Sequence, residues 1–303
     1  MITFPSWLRS LRKSLKARWI QLHTAYVQRF RSYGREDLLR ALRELGVREG
    51  DALMLHSAFS PQHGFRGSIE QLTDTFIEAL GADGHLLMVS LPYRSSSIAY
   101  LEKLKHFDVR RTPSMMGLVS EFFRRRPAVL RSLHPTHPIL VHGPRAESFV
   151  AGHEDCVHPC GLGTPFDRLA QADGLVVFLN VDLETFTFFH YLEDRVSHRL
   201  PFPLYTDNAF EVAVIDREGV QRTVRTHVYT REAIRRRRFQ VLVQALEQRG
   251  AIRRVRVGNS RLAAIRTRDA IACVDEMAAR GEFFYDLSAL DDCSSLTHPI
   301  QGA

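Results

Sequence analysis

The stretch that decides the class of fold is residues 53–88, LMLHSAFSPQHGFRGSIEQLTDTFIEALGADGHLLM. The apolar runs at Ala52–His56 and His85–Ser90 predict two short strands, and the segment Ser68–Leu80 has the capping residue and periodicity of a helix. The intervening Ser57–Gly67, with its glycines, proline and polar side chains, predicts a loop. A strand, a helix and a second strand in this order indicate an α/β unit.

The rest of the chain alternates between helix and strand up to Pro203 and then changes to hairpins. The helices predicted are Glu36–Leu45, Ser114–Arg126, Thr185–Ser197, Arg231–Arg249 and Ala270–Arg280. The further strands predicted are Ile139–His142, Leu175–Val181, the pair Phe210–Asp216 and Val220–Tyr229, and the pair Ile252–Val257 and Ser260–Ile265. We therefore expect one α/β domain of the three-layer type over residues 36–295, with a central mixed sheet and an antiparallel C-terminal portion. A basic amphipathic helix in residues 1–35 precedes it, and a tail, 296–303, follows.

The positive charge of the chain is unevenly distributed. The 303 residues include 41 Lys or Arg and 34 Asp or Glu, for a net charge of +7. Residues 1–35 hold eight of the basic residues and no acidic one, so the remainder carries −1. A second basic cluster, residues 231–268, has 12 arginines against two glutamates, but no nucleic-acid recognition motif accompanies it. We expect no nucleic-acid partner.

The basic N-terminal arm carries a helical apolar face. Its members recur at steps of three and four residues: Trp7, Leu8, Leu11, Leu15, Trp19, Leu22 and Tyr26. Such a face among positive charges is typical of a helix that rests peripherally on an anionic membrane, here the inner face. The alternative is a helix that packs on its own domain or on another subunit of a homo-oligomer.

The cysteines point to a reducing compartment. Four in 303 residues are too few for a disulfide scaffold. Cys156 and Cys160 have the spacing of one zinc-ligand pair, but no second pair follows nearby, so we expect a surface loop and no metal. No long apolar stretch follows the N-terminal charges and no run could span a membrane, which together predict a cytoplasmic protein.

Three stretches, taken in order, resemble the aminoglycoside 3-N-acetyltransferase family. They are Leu53–Met88, Thr112–Ala146 (with SMMG, RRRPAVLRS and HPT) and Gly163–Asp194 (with GTPFDRL and TFTFFHYLED). The resemblance covers roughly residues 36–290. It implies an acetyl-CoA-dependent N-acetyltransferase and places catalysis on His190 and Glu193, with Thr187 nearby.

The same resemblance implies which segments contact coenzyme A and the acceptor. Coenzyme A contacts are expected from the loop after the first strand and from a segment before a helix: His56, Ser57, Phe59, Ser60, Gly64, Ser114, Met116 and Gly117. For the acceptor, His134 and Glu184 are the candidates. His134 has a second interpretation, as a turn residue that braces the loop at Pro135.

The chemistry of amine acetylation agrees with these assignments. An amine attacks a thioester only as the free base, so a proton acceptor that works near pH 7 is needed, and imidazole fits best. His190 and Glu193 are three residues apart and share a face of a helix, where the carboxylate can orient the imidazole. Loop amides or the hydroxyls of Ser57 and Thr187 could stabilise the thioester oxygen. Taken alone, however, such a pair is more often a polar surface pair.

The chain departs from the family pattern close to the expected acceptor site. Ala58 replaces a serine, Asn180 a glycine, Glu184 an aspartate and Phe186 an asparagine. Because aminoglycosides are polycationic and favour an acidic cleft, we expect another acceptor, such as an amino sugar of polysaccharide or secondary-metabolite assembly. The alternatives are a true aminoglycoside-inactivating enzyme and a catalytically silent, arm-tethered interaction protein.

Overall fold

The computed structural model describes residues 6–94 and 96–288, with backbone alone for residues 6–13. Cys293, the tail 296–303 and the side chains of Trp7, Leu8 and Leu11 lie outside the described residues. The strands are β1 Ala52–Ser57, β2 His85–Val89, β3 Phe107–Asp108, β4 Leu130–Arg131, β5 Ile139–His142, β6 Leu175–Leu179, β7 Phe210–Ile215, β8 Gln221–Thr226, β9 Ile252–Val257 and β10 Ser260–Arg266.

Eleven helices lie between and beside these strands in the described chain. They are α1 Ser6–Phe30, α2 Arg35–Leu45, α3 Ile69–Leu80, α4 Ser97–Leu101, α5 Leu118–Arg124, α6 Ala146–Val150, α7 Pro165–Gln171, α8 Phe189–Val196, α9 Arg231–Arg236, α10 Phe239–Gln248 and α11 Thr267–Ala279. The predicted start of α3 is confirmed by a reciprocal cap, in which the Ser68 hydroxyl accepts from the Gln71 amide and the Gln71 side chain accepts from the Ser68 amide.

The central sheet is mixed, as predicted. Its seven strands run in the order β4-β5-β2-β1-β6-β10-β9. β2, β1 and β6 are parallel to one another, whereas β5, β4, β10 and β9 extend the two edges in antiparallel fashion. The second predicted hairpin supplies one edge. The first, β7–β8, instead pairs with β3 in a separate three-stranded sheet.

Helices cover both faces of the central sheet. In β6, Val176 and Phe178 face a core shared with α7, α8, α10 and α11. Leu175, Val177 and Leu179 face a core shared with α2, α3 and α5. A strand buried on both faces is a continuous apolar run, which is why this segment was recognisable in the sequence. The predicted three-layer α/β class is confirmed.

Three helix predictions were wrong at their boundaries. The helix predicted from Ser114 begins at Leu118, after Gly117, whose φ of 112° lies where glycine is favoured. The helix predicted from Thr185 begins at Phe189 and follows a separate 3-10 turn. The helix predicted over Arg231–Arg249 is two helices, because Arg237 is extended at φ −53° and ψ 130°.

Among the described side chains of the arm helix α1, contact with the body is seen near its C-terminal end. Val27 is fully buried, and α1 packs there against the short turn Pro61–His63. Trp19 and Leu22 are 61% and 66% exposed, so the described part of the predicted apolar face does not cover the domain. None of the described helices is long and apolar enough to cross a membrane.

A glycine in the β9–β10 turn fixes how closely the end of α1 approaches the sheet. Gly258 has a φ of 54°, and a Cβ there would lie 2.3 Å from the Arg31 carbonyl oxygen. Gly258→Ala is expected to lower the free energy of unfolding by roughly 1–3 kcal/mol more than Gly219→Ala does. Gly219 also has a positive φ, 89°, but open space around it. Urea denaturation measures both variants, and equal losses would contradict the steric argument.

Candidate active site

A cavity of about 440 Å³ opens at the carboxyl ends of the three parallel strands. The end of β1 contributes His56 and Ser57, the end of β2 contributes Val89, and Val181 follows β6. Open α/β sheets bind their ligands at this edge. The topology of the sheet therefore places the cavity where a substrate site is expected.

About half of the predicted site residues line this cavity. They are His56, Ser57, Met116, Glu184, Thr187 and His190. Glu193 lies behind His190 and is fully buried. The others lie outside the lining: Phe59, Ser60, Gly64, Ser114, Gly117 and His134.

His190 and Glu193 form a hydrogen-bonded pair on α8. His190 Nδ1 lies 2.7 Å from Glu193 Oε2, and the two residues are one helical turn apart, as their spacing predicted. Because the carboxylate accepts a hydrogen from Nδ1, the neutral imidazole keeps its lone pair on Nε2. His190 thus presents a proton acceptor to the cavity it lines.

Two further residues hold the Glu193 carboxylate, and sequence reasoning missed both. Arg237 donates from Nε to Oε1 at 2.5 Å and from Nη2 to Oε2 at 2.8 Å. The Tyr285 hydroxyl also donates to Oε1. A fully buried carboxylate is tolerated only when its charge is paired and its lone pairs are satisfied. The break between α9 and α10 lets Arg237 reach it.

Aromatic rings fix the His190 imidazole on its other sides. The Tyr229 ring lies 5.0 Å from it, and the His137 ring meets it edge-on at 5.5 Å, centroid to centroid. Arg237 lies over the Tyr229 ring at 4.6 Å, a cation–π contact. The imidazole is held by packing as well as by its hydrogen bond, which favours a single orientation.

The electrostatics of the pair favour a neutral imidazole beside an ionised carboxylate. Burial lowers the pKa of His190, and Arg237 lowers it further, against the opposing effect of Glu193. Burial raises the pKa of Glu193, but Arg237 and His190 outweigh burial and the pKa is lowered. At neutral pH the imidazole can therefore take a proton, and the carboxylate is ready to stabilise the resulting cation.

The predicted coenzyme A segments contribute unevenly to the cavity. The Ser57 hydroxyl has no hydrogen-bond partner among the described residues, so it is free to donate to a ligand. The His56 ring stacks on Phe178 at 5.4 Å, and burial lowers its pKa to about 4, which suits a wall residue rather than a base. Ser114 bonds to Ser120, which itself lines the cavity, so it acts on the site through a neighbour.

His134 lies outside the cavity lining, in a buried histidine cluster. Its Nδ1 accepts the backbone N–H of His137 at 3.3 Å, and its ring stacks on His153 at 4.6 Å. Burial lowers the pKa of His134 well below its usual range. This geometry matches the second interpretation of the residue, as a brace for the loop at Pro135.

The segment with the possible zinc-ligand pair has other partners. Cys160 is fully buried, and Cys156 Sγ bonds to the Gly152 carbonyl at 3.4 Å. His153 bonds to Ser132 at 2.8 Å and to the Pro159 carbonyl at 2.9 Å. Within residues 6–94 and 96–288, no group of three or more potential ligands is arranged around a metal position.

Comparison with known proteins gives a consistent set of relatives. A family model described as aminoglycoside 3-N-acetyltransferase matches residues 54–279. Aminoglycoside N(3)-acetyltransferase III of Pseudomonas aeruginosa is 29% identical over 189 residues, which is 56% of this chain and 69% of the relative. Aminoglycoside N(3)-acetyltransferase VIII of Streptomyces fradiae is 32% identical over 180 residues, which is 53% of this chain and 60% of the relative.

Solved structures share the fold. The AAC-IIIb binary complex with CoASH has a TM-score of 0.67 at 22% identity and covers 82% of this chain and 97% of its own. A mutant of aminoglycoside acetyltransferase AAC(3)-IVa in complex with a gentamicin has a TM-score of 0.65 at 24% identity, covering 82% and 89%.

The fold places a cavity at the strand ends, with a histidine–carboxylate pair at its wall, and shares its architecture with solved aminoglycoside acetyltransferases. The family model covers well over half of the chain, and the chain belongs to the aminoglycoside 3-N-acetyltransferase family. Membership confirms the predicted family and, with it, the class of enzyme and its co-substrate: an N-acetyltransferase that uses acetyl-CoA.

Arg237 predicts a measurable pH effect. It lowers the pKa of His190, so Arg237→Gln is expected to raise that pKa. At low pH, kcat/KM falls because the free base becomes protonated. In the variant this acid limb of the pH profile is expected to move to higher pH, and the maximum value of kcat/KM is expected to fall. Arg237→Lys keeps the charge and is expected to hold the limb near its original place.

The matched control is Arg235→Gln, because the neighbouring Arg235 is exposed and its guanidinium makes no ion pair or hydrogen bond with another described residue. The variants are compared by measuring kcat/KM from the rate of thiol release between pH 5 and pH 9. An acid limb that stays in place in Arg237→Gln would show that the arginine does not tune the histidine.

Proposed function

We propose that this protein transfers an acetyl group from acetyl-CoA directly to an amine of an amino-sugar-like acceptor, with His190 as general base. The observation that carries the proposal is the chain of contacts from Arg237 through Glu193 to His190 at the wall of the cavity. This chain gives the imidazole one tautomer and one orientation, while burial holds its pKa below the usual value.

His190 Nε2 takes the proton that the amine loses as its nitrogen bonds to the thioester carbonyl carbon. The C–S bond of the resulting tetrahedral intermediate then breaks, and the imidazolium returns the proton to the departing coenzyme A sulfur, which leaves as the free thiol. Between these two proton transfers Glu193 stabilises the imidazolium at 2.7 Å, and Arg237 keeps Glu193 ionised while this happens. General base catalysis by a positioned side chain contributes typically about 10²–10⁴-fold. No covalent enzyme intermediate is needed, because the amine itself is the nucleophile.

The Ser57 side of the cavity suits the thioester. Ser57 supplies a hydroxyl that is free to donate, whereas the Thr187 hydroxyl donates to the Thr185 carbonyl at 3.2 Å. Ser120 of α5 and Met116, just before that helix, complete this wall. A solved relative that shares the fold, AAC-IIIb, is a complex with CoASH, which supports coenzyme A in this position.

The charges of the cavity support an acceptor other than a polycation. Among the described residues of its lining, Glu184 is the one carboxylate and Arg237 the one guanidinium. Glu184 is also held by Gln240 at 3.0 Å. A single lining carboxylate suits an acceptor with one amine, whereas several ammonium groups would need several carboxylates.

The two other candidate functions fit the structure less well. A true aminoglycoside-inactivating enzyme is supported by the relatives, which are aminoglycoside N(3)-acetyltransferases, but not by the sparse acidic lining. A catalytically silent protein has no use for a buried, fully paired Glu193, whose ionised form is costly to maintain.

Steady-state acetylation tests the proposal. Free thiol release from acetyl-CoA is expected with amino sugars or nucleotide-linked amino sugars, and at much lower kcat/KM with gentamicin. His190→Ala is expected to lower kcat/KM by about 10²–10⁴-fold, because it removes the base but not the binding surface. His158→Ala is the matched control, since His158 faces Asp194 and lies outside the cavity lining.

Three results would count against this assignment. Unchanged turnover in His190→Ala would place the base elsewhere. Efficient acetylation of gentamicin, within the usual enzyme range of about 10⁴–10⁸ M⁻¹s⁻¹, would restore the aminoglycoside alternative. The absence of a thermal shift with acetyl-CoA would remove the enzyme function altogether, since a ligand that binds the native state stabilises it.

We also propose that residues 1–35 hold the enzyme peripherally at an anionic membrane surface, on the cytoplasmic side. Leu15, Trp19, Leu22 and Tyr26 project on one side of α1 and are at least half exposed. The arm has eight basic residues and no acidic one, which suits anionic headgroups.

Intrinsic fluorescence tests the arm directly, because both tryptophans of the chain, Trp7 and Trp19, lie in it. Vesicles of phosphatidylglycerol and phosphatidylcholine are expected to bind the protein and shift its emission to the blue. Leu22→Glu is expected to abolish the shift, whereas Ala17→Glu, the same charge change on the opposite side of α1, retains most of it. A concentration-dependent dimer with no vesicle binding would favour a second copy as the partner.

A further inference from the structure

A second cavity, of about 660 Å³, lies between four segments that are distant in sequence, one of which is Asn180 after β6. The last turn of α1 and the residue after it supply Tyr26 and Arg31, the loop after β1 supplies His63, and the β9–β10 hairpin supplies Arg256 and Arg261. None of the described residues that line this cavity is acidic. We call it the arginine cavity.

Two of its arginines stand directly opposite each other in the sheet. Arg256 and Arg261 are cross-strand partners in the register of β9 and β10. Neither guanidinium makes an ion pair or a hydrogen bond with another described residue. Like charges directly opposite destabilise a strand pair, so this arrangement favours a bound anion between them. On the same face, Arg254 is by contrast neutralised by Glu247 at 2.5 Å.

The framework of the arginine cavity is tightly built. A Cβ on Gly64 would lie 2.7 Å from the Arg31 carbonyl oxygen, and one on Gly258 would lie 2.3 Å from it. Asn259 Nδ2 donates to the Gln62 carbonyl at 2.7 Å, which ties the hairpin turn to the loop after β1. The close backbone approach brings Arg31 to the same cavity as the hairpin arginines. Gly64, predicted as a coenzyme A contact, has this packing role in the structure.

A groove adjoins both the arginine cavity and the active site. The groove has a volume of about 530 Å³ and shares Arg256 and Arg261 with the arginine cavity. At its other end it shares Val181 and Glu184 with the cavity that His190 lines. One elongated ligand can therefore react at His190 and reach the arginines with its far end.

We propose that Arg31, Arg256 and Arg261 bind the phosphate or diphosphate ester of a ligand whose other end reacts at His190. Guanidinium groups match phosphate in charge and in planar, bidentate geometry. The inference rests on the proposed function for what happens at the reacting end. Two reactants can carry this chemistry: coenzyme A, through its nucleotide end, and an acceptor amino sugar, through a phosphate or nucleotide.

The test compares Arg256→Gln/Arg261→Gln with a control double variant, Arg40→Gln/Arg225→Gln, which makes the same charge change elsewhere. Calorimetric titrations at low salt use adenosine 3′,5′-bisphosphate, UDP and inorganic pyrophosphate as probes. The wild type is expected to bind at least one of them, and the hairpin variant to bind it at least tenfold more weakly. The control variant is expected to bind it as the wild type does.

Two kinetic arms distinguish the source of the phosphate. A rise in the KM for acetyl-CoA, with weaker binding of the bisphosphate, assigns the site to coenzyme A. An unchanged KM for acetyl-CoA, with weaker binding of UDP, assigns it to the acceptor. Either result supports the anion site.

The inference is overturned when the wild type binds none of the probes, or when both double variants bind them equally. Because probe binding is measured without turnover, a failure of the anion site can be told apart from a failure of the proposed function. A protein that binds the probes but releases no thiol refutes the acetyltransferase and leaves the anion site standing.

Discussion

The ion pair between Glu193 and Arg237 is the interaction that the active site depends on. Glu193 is fully buried, so its charge must be met where it stands, and Arg237 meets it with two parallel hydrogen bonds. To do so the chain leaves helical geometry between α9 and α10. Tyr285, near the end of the described chain, adds a third donor. Segments far apart in sequence are thereby fixed around one carboxylate, and His190 takes its orientation from that carboxylate.

The layers of the fold could be predicted because burial of a strand on both faces leaves a simple pattern of apolar residues in the sequence. The parallel strands lie between two helical layers and are apolar at nearly every position, as in Leu175–Leu179. The hairpin turn at Gly258-Asn259 could also be predicted, because this pair of residues favours a tight turn. The start of α8 could not be placed in the same way. Residues Thr185–Phe188 continue the apolar pattern of the helix, but they form a tight turn that precedes α8.

Arg237 shows why the rest of the site escaped prediction. It lies in a run of four consecutive arginines, Arg235–Arg238, inside a stretch with helical periodicity. Nothing in such a run tells which guanidinium turns inward, because the answer depends on a carboxylate 44 residues away. His190 and Glu193 could be found because they lie one turn apart on one element. Their partner belongs to another element, and only the tertiary fold brings it there.

Asn180 changes the meaning of one departure from the family pattern. The residue has a φ of 58°, a conformation that glycine adopts freely and asparagine tolerates better than most. Its side chain accepts the Arg261 amide at 3.0 Å and donates to Ser260 at 2.9 Å. The substitution thus preserves the turn and braces the β9–β10 hairpin. It is a conformational replacement for the glycine at this position of the family pattern.

The way α1 ends has a thermodynamic consequence. The helix that carries the exposed Trp19 side runs directly into Arg31, whose carbonyl is wedged between Gly64 and Gly258. In the two proposals made above, a membrane surface binds the apolar side of α1 and an anion binds Arg31, so both partners act on one continuous segment of the chain. Any free energy that one partner contributes to fixing the position of this segment, the other no longer has to supply, and the effect is reciprocal. On these proposals, membrane binding and anion affinity are thermodynamically coupled.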